Sequence, residues 1–349
     1  YRLSRAFSWE VTFAATFGNS GIKRSEKFTQ MAKALVDKID NPQAQGHFLL
    51  MSGMAAFLQG RWLDATQLNK KAGKILREQC TGVGWEIYTS EVFLMRALYF
   101  LGDFLTISER VIKILKEAQE RGDLYAETSL RTRVSYVCYL AQNQPKLAAD
   151  EIDIAMEKWS QTGFHAQHYY AFIARGEIAL YHNQGELAWR LVKEHWPKMK
   201  RSMFFRVQFL LIESLHLSSR AAMCLAMQTA KPSNKLLNVL GRVAKRLDRE
   251  KKVYADAFAA LSRAMFALST GAYDSAIAQL STAESKFTVA NMQMYAAVAQ
   301  RARGKLTGGE QGIKLIVSAE EIMKEQQIQN IETFAQMMLP GKWDNKANN

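Results

Sequence analysis

The sequence predicts an all-α protein built as a solenoid of stacked helical hairpins, and three observations carry that prediction. Apolar positions recur every three or four residues along almost the whole chain, and strand-like alternation is absent. Only five prolines occur in 349 residues, and none falls inside a clear helical pattern, which suits a nearly all-helical chain. The third observation is a recurring turn: an apolar helix end, one or two polar residues, a Gly or Pro, then an aromatic or Leu that opens the next helical stretch. It reads Phe57-Leu58-Gln59-Gly60-Arg61-Trp62, Phe100-Leu101-Gly102-Asp103-Phe104, Leu140 to Pro145, Tyr181 to Gly185 and Leu268-Ser269-Thr270-Gly271-Ala272-Tyr273. The marks at 60, 102, 145, 185 and 271 give steps of 42, 43, 40 and 86, the last being twice 43. A fixed period of this size means stacked supersecondary units, because one hairpin cannot bury its apolar face without neighbours. About eight helix pairs of period near 42, wound as a right-handed superhelix, fit the chain.

Taken in order, the first pair spans about 3–17 and 22–39, joined through Gly18-Asn19-Ser20-Gly21. The second, about 42–58 and 62–79, opens at Asn41-Pro42, an N-cap followed by a first-turn proline. In its second helix Trp62, Ala65, Leu68, Ala72, Ile75 and Leu76 form one stripe while Lys70, Lys71, Lys74 and Arg77 face outward. The third pair covers about 85–101 and 104–121, the fourth about 123–142 and 145–161, and the fifth about 164–183 and 185–195, ending at Trp196-Pro197. Next, about 199–228 reads as one long helix whose mate is a basic helix over about 233–249. There the turn mark is replaced by Lys231-Pro232-Ser233, with Ser233 as N-cap, which accounts for the double step. Pairs at about 253–269 with 273–290 and 291–304 with 310–327 follow, then a closing helix over about 331–338. A single array therefore runs through 1–349: regular units over 1–197, the long and basic helices over 198–252, C-terminal units over 253–341, and a frayed tail over 342–349. The turns resemble those of tetratricopeptide repeats, in which a small residue lets two helices cross closely and an aromatic packs over the junction. The period here exceeds the usual 34 or so residues, so longer helices and a wider groove are expected.

Charge and cysteine usage narrow the function classes. Three widely separated cysteines, Cys80, Cys138 and Cys224, offer no pairing or metal spacing and read as free thiols of a reducing cytoplasm. The start, Tyr1-Arg2-Leu3-Ser4-Arg5, is no signal peptide, and its lack of Met suggests a piece of a longer protein. No apolar run approaches the roughly 18–20 residues of a membrane span. The net charge of +13 is partly local: Lys231, Lys235, Arg242, Lys245, Arg246, Arg249, Lys251 and Lys252 face only Asp248 and Glu250. The cluster is either a solvated helix face or a surface for nucleic acid, an acidic protein or an acidic membrane. Aromatics for base stacking are missing from it.

Signatures of catalysis are absent. No phosphate-binding G-x-x-x-x-G-K-[ST] occurs, and Gly308-Gly309-Glu310-Gln311-Gly312 reads as a helix–helix turn. There is no His-Arg-Asp loop, no Asp-Phe-Gly and no nucleophile elbow. His165 and His168 lie three apart but lack a visible third metal ligand, so no metal and no cofactor is expected. Three segments open the first helices of consecutive units: Cys80 to Glu86, Gly122 to Arg133, and Gly163 to Tyr170. First helices line the concave side of such stacks, so Trp85, Glu86, Glu127, Arg131, His165, His168 and Tyr169 form a candidate groove; the bland account of Glu127 and Arg131 is a surface pair at i and i+4.

Those same segments, together with Trp159 to Tyr170 and the ending from Met294 to Gly341, resemble the C-terminal helical region of bacterial multidomain serine/threonine kinases that also carry an AAA or STAND-type ATPase module. The likeness covers nearly the whole chain, and 156–170 is its most specific part. It departs near the end, where Asn330-Ile331 stands in place of an expected Asn-Pro. The resemblance implies a sensor or docking region that regulates fused kinase and ATPase modules and is not itself an enzyme. The expected function is therefore binding of a protein or peptide in the groove, with Trp85 and Tyr169 as anchors. The alternatives are nucleic-acid binding through Lys235, Arg242, Lys245, Arg246 and Arg249, and small-molecule sensing in the groove.

Overall fold

The computed structural model describes residues 1–230 and 233–344, and every regular element among them is helical. In chain order the helices are α1 (Arg2–Thr16), α2 (Ile22–Val36), α3 (Pro42–Leu58), α4 (Trp62–Gln79), α5 (Gly84–Leu101), α6 (Phe104–Glu120), α7 (Leu124–Leu130), α8 (Tyr136–Ala141) and α9 (Pro145–Lys158). They continue with α10 (Ala166–Tyr181), α11 (Gly185–Arg201), α12 (Gln208–Gln228), α13 (Asn234–Asp248), α14 (Val253–Ser269), α15 (Tyr273–Val289), α16 (Gln293–Thr307), α17 (Gly309–Glu325) and α18 (Ile331–Met338). Sequence neighbours pack as hairpins, and first helices pack on first helices: α1 on α3, α3 on α5, α10 on α12, α12 on α14.

Local chemistry sets the boundaries. The Asn41 side chain accepts from the Ala44 N–H at 2.8 Å ahead of Pro42, and Asp103, Asp123, Ser233 and Asn330 cap α6, α7, α13 and α18 in the same way. Asn330 thus starts α18 sharply without a following proline. Gly102, at φ +90°, closes α5 in the left-handed conformation. At the marks read as Pro145 and Gly185 the left-handed residues are instead Asn143 and Asn183, two positions earlier. Gly185 is small for another reason: a Cβ there would lie 2.4 Å from the backbone nitrogen of Leu225 on α12.

Four boundaries differ from the sequence reading. The stretch 199–228 is two helices, and the boundary at 197 falls inside α11, which runs through Pro197 to Arg201. Met203 then turns left-handed, and Phe204 and Phe205 leave the helix to pack on Phe164 and Trp196, with ring centroids 5.2 and 4.5 Å apart. Between α7 and α8 the backbone is wound as a π-turn, Arg131–Ser135. The tail proposed from 342 holds Trp343, which is buried and donates its indole N–H to the Leu339 carbonyl at 3.1 Å. Residues 345–349 of that tail, and Lys231-Pro232 of the replaced turn mark, lie outside the described residues.

The coil closes on itself. Gly18 lies against Gln208, Gly60 against the Tyr254 ring, Gly102 against Met294, and Ala141 accepts a hydrogen bond from the Gln329 N–H. These partners are 190, 194, 192 and 188 residues apart, so the turns of the early hairpins meet the starts of the late ones in register. The interior is filled by the chain's own side chains. Phe57, Trp62, Phe100, Phe209 and Tyr254 from five helices or their edges form one aromatic cluster. One helix, α12, is long and apolar enough to cross a membrane, and 83% of that window is buried among the other helices.

Candidate functional site

Filling of the interior removes the open groove that the hairpin stack predicts, and it reassigns most of the proposed lining. Tyr169 is fully buried, and its hydroxyl donates to Glu213 at 2.8 Å. Glu213 also bridges Arg96 (2.7 Å) and Arg133 (3.0 Å), two buried guanidiniums. Burial works against the charge on Glu213, but Arg133 and Arg96 outweigh it and hold the carboxyl below its usual value. Beside this triad, Glu177 accepts from Arg220 at 2.7 Å and from the Tyr136 hydroxyl at 2.9 Å. Arg220 also donates to the Met337 carbonyl, tying α18 to the centre.

Glu86 is buried and accepts from Arg5 at 3.4 Å. Trp85 packs between Trp9 and Tyr125, with ring centroids at 5.6 and 6.4 Å. Glu127 and Arg131 pair at 3.1 Å, and Arg131 also meets Glu151. These groups hold hairpins together. A ligand arriving from solvent finds none of Tyr169, Glu86 or Arg131 open, since each is at most 7% exposed.

His165 and His168 lead elsewhere. Trp159 donates its indole N–H to His165 Nδ1 at 3.1 Å, fixing the loop between α9 and α10. His168 Nδ1 accepts from the His165 backbone N–H at 3.0 Å, and its ring stacks on Phe164. His168 then lines an open cavity of about 410 Å³ between α10 and α11, with Phe164, Phe172, Met156, Arg175, His195, Lys198 and Arg201. None of the residues lining this cavity is acidic. Among the described residues, Arg175 is the one cation of the lining that pairs with a carboxylate outside it, Asp153 at 2.8 Å. Burial lowers the pKa of His168, and His165, His195 and Lys198 lower it further. Burial also lowers that of His195; its bond to the Leu191 carbonyl and the neighbouring Glu194 carboxylate oppose this, and Lys198 and Arg175 reinforce it. Five groups of like charge or potential charge, His168, Arg175, His195, Lys198 and Arg201, thus face one space, an arrangement that suits an anion.

Arg175, His195, Lys198 and Arg201 were not among the sequence candidates. Their signal was present: His195, Lys198 and Arg201 recur every three residues, one helical stripe, and Arg175 lies seven after His168. Ending the helix at Trp196-Pro197 cut that stripe in two. The basic residues Lys235, Arg242, Lys245, Arg246 and Arg249 are exposed on or beside α13, Arg246 pairing with Glu250 at 3.2 Å. Among the described residues no three His, Cys, Asp or Glu side chains converge as a metal site would require. No protein-family model matches the chain, and none of the curated proteins matches it.

Proposed function

We propose that the chain is a non-catalytic binding module, a tetratricopeptide-like right-handed superhelix, whose α10/α11 cavity receives an acidic segment of a partner protein or peptide. The observation that carries this reading is a cavity lined by Arg175, Lys198, Arg201 and two histidines with no carboxylate. A partner anion gains most where the protein's cations are not already neutralised. The loop that walls the cavity, Trp159 to His165, belongs to the stretch most like the helical region of the multidomain kinases. On that resemblance, occupancy of the cavity would regulate fused kinase and ATPase modules.

The test is fluorescence anisotropy with labelled acidic, neutral and basic peptides at low and moderate salt. Acidic peptides are expected to bind, and Lys198→Glu with Arg201→Glu to weaken them about tenfold or more. Equal binding of neutral peptides, or no effect of the charge reversal, would sink the reading. Nucleic-acid binding through α13 is the second reading, favoured by the exposure of all five of its basic candidates. It predicts affinity that falls steeply with salt and drops when Lys245, Arg246 and Arg249 are neutralised.

A further inference from the structure

We infer that the α10/α11 cavity is built for a phosphate monoester, carried on the acidic segment proposed above, in preference to a carboxylate. This rests on that reading and narrows it to one chemical class. Two histidines line the cavity, His168 from α10 and His195 from α11. His168 Nδ1 receives the His165 N–H, so it carries no proton, and the neutral ring keeps its hydrogen on Nε2. His195 Nδ1 faces the Leu191 carbonyl at 3.0 Å; a carbonyl only accepts, so the hydrogen sits on Nδ1 and Nε2 keeps a lone pair. The free ring nitrogens of these two cavity-lining imidazoles therefore differ in function, His168 Nε2 being a donor and His195 Nε2 an acceptor.

Around them stand the Arg175 and Arg201 guanidiniums and the Lys198 ammonium, all donors. Four donor groups from two helices exceed what the two coplanar oxygens of a carboxylate can engage, while a phosphate monoester spreads three oxygens over a tetrahedron. The lone acceptor is the sharper discriminator. An ionised carboxylate has no hydrogen to give His195 Nε2, whereas the monoanionic form of a phosphate monoester, whose second pKa is near 6 or so, carries one. The apolar floor, Met156, Ala171 and Phe172, is buried and lowers the local dielectric under the anion.

The experiment uses the full chain and three peptides identical but for one residue: phosphoserine, glutamate or serine at the centre of an acidic sequence. Free phosphoserine and inorganic phosphate serve as further probes, titrated calorimetrically, with 31P chemical shifts recorded. The phosphoserine peptide is expected to bind about tenfold or more tighter than the glutamate peptide. That advantage should fall away in Lys198→Ala and Arg201→Ala, both exposed positions whose circular dichroism and melting should stay unchanged. His195→Phe should narrow the phosphate-over-glutamate ratio while leaving glutamate affinity in place. Equal affinity of phosphoserine and glutamate peptides overturns the phosphate inference and leaves the acidic-segment reading standing. Binding of neither overturns both. Free phosphoserine binding as tightly as its peptide supports the phosphate chemistry and overturns the peptide as its carrier.

Discussion

Helix α10 shows two faces that use similar residues to opposite ends. On its inner face Tyr169 and Glu177 join a buried network in which each carboxylate meets arginine: Glu213 with Arg96 and Arg133, Glu177 with Arg220. On its outer face His168 and Arg175 join Lys198 and Arg201 around a cavity without a carboxylate. Charge satisfied inside the protein holds hairpins in register, and charge left facing solvent is free to meet a partner. The largest way to break this comparison is at the centre. Glu213→Gln leaves Arg96 and Arg133 buried without a counter-charge and should cost about 3–5 kcal/mol, read by urea denaturation. Replacing all three by apolar residues of similar volume should recover much of the loss, since desolvation of the pairs is itself unfavourable. A Glu213→Gln protein as stable as the parent would show that the network adds nothing to the fold.

The inner region also makes an acid-sensitive prediction, larger than the outer face's because its histidines are the more deeply buried. His47, 2% exposed, has neither ring nitrogen hydrogen-bonded, and burial followed by Arg5 lowers its pKa to about 4. His216, stacked on Phe258 at 3.9 Å, is pushed well below its ordinary value by burial and then by Arg220. A depressed folded pKa means that between about 6.5 and 4 the unfolded chain binds the more protons, so stability is full above the unfolded value and falls as pH drops through that window. For His47 the loss reaches on the order of 3 kcal/mol near the acid end. Melting curves from pH 7.5 to 4 (a range chosen to span about both values) should show it, and His47→Phe should flatten the slope.

How much of this was legible in the sequence follows from what each feature depends on. The helices and their caps depend on neighbours within a turn, so Asn41-Pro42 and Ser233 could be read directly. Burial of Tyr169 could not, because it depends on Glu213, 44 residues away on another helix. The closure of the coil depends on partners 188 to 194 residues apart, and a period near 42 says nothing of how many units complete one turn. First helices therefore looked free to line a groove when their inner faces were already taken. His168 is legible as a polar residue at a helix start, whereas nothing local distinguishes Arg175, Lys198 and Arg201 from ordinary surface charge.

On the outer face the expected effects are electrostatic and leave the fold alone. Lys198→Met should change stability by no more than about 0.5 kcal/mol, because the side chain is exposed and outside the network. It removes a cation that lowers both His168 and His195, so both pKa values should rise toward 6.5, measured by NMR titration of the ring protons. If neither histidine moves, the three groups do not share one electrostatic space, and the cavity loses its claim to favour an anion.

The smallest effect tests Arg175, a cavity cation that is partly neutralised. Arg175 meets Asp153 at 2.8 Å, with side chains 42% and 69% exposed, a solvent-screened pair worth little to stability. Asp153→Asn keeps the side-chain shape, removes the negative charge and leaves Arg175 without its competitor. Stability should therefore stay within about 0.5 kcal/mol, while affinity for the acidic peptide should rise roughly twofold, the scale set by breaking an exposed ion pair. The sign matters more than the size. A structural view of Arg175, in which it serves only to join α9 to α10, predicts that losing Asp153 weakens the site by loosening its wall. A recognition view predicts gain, because the guanidinium turns from one carboxylate to another. Anisotropy with the acidic peptide, read against the Arg175→Met variant in which the gain should vanish, separates the two.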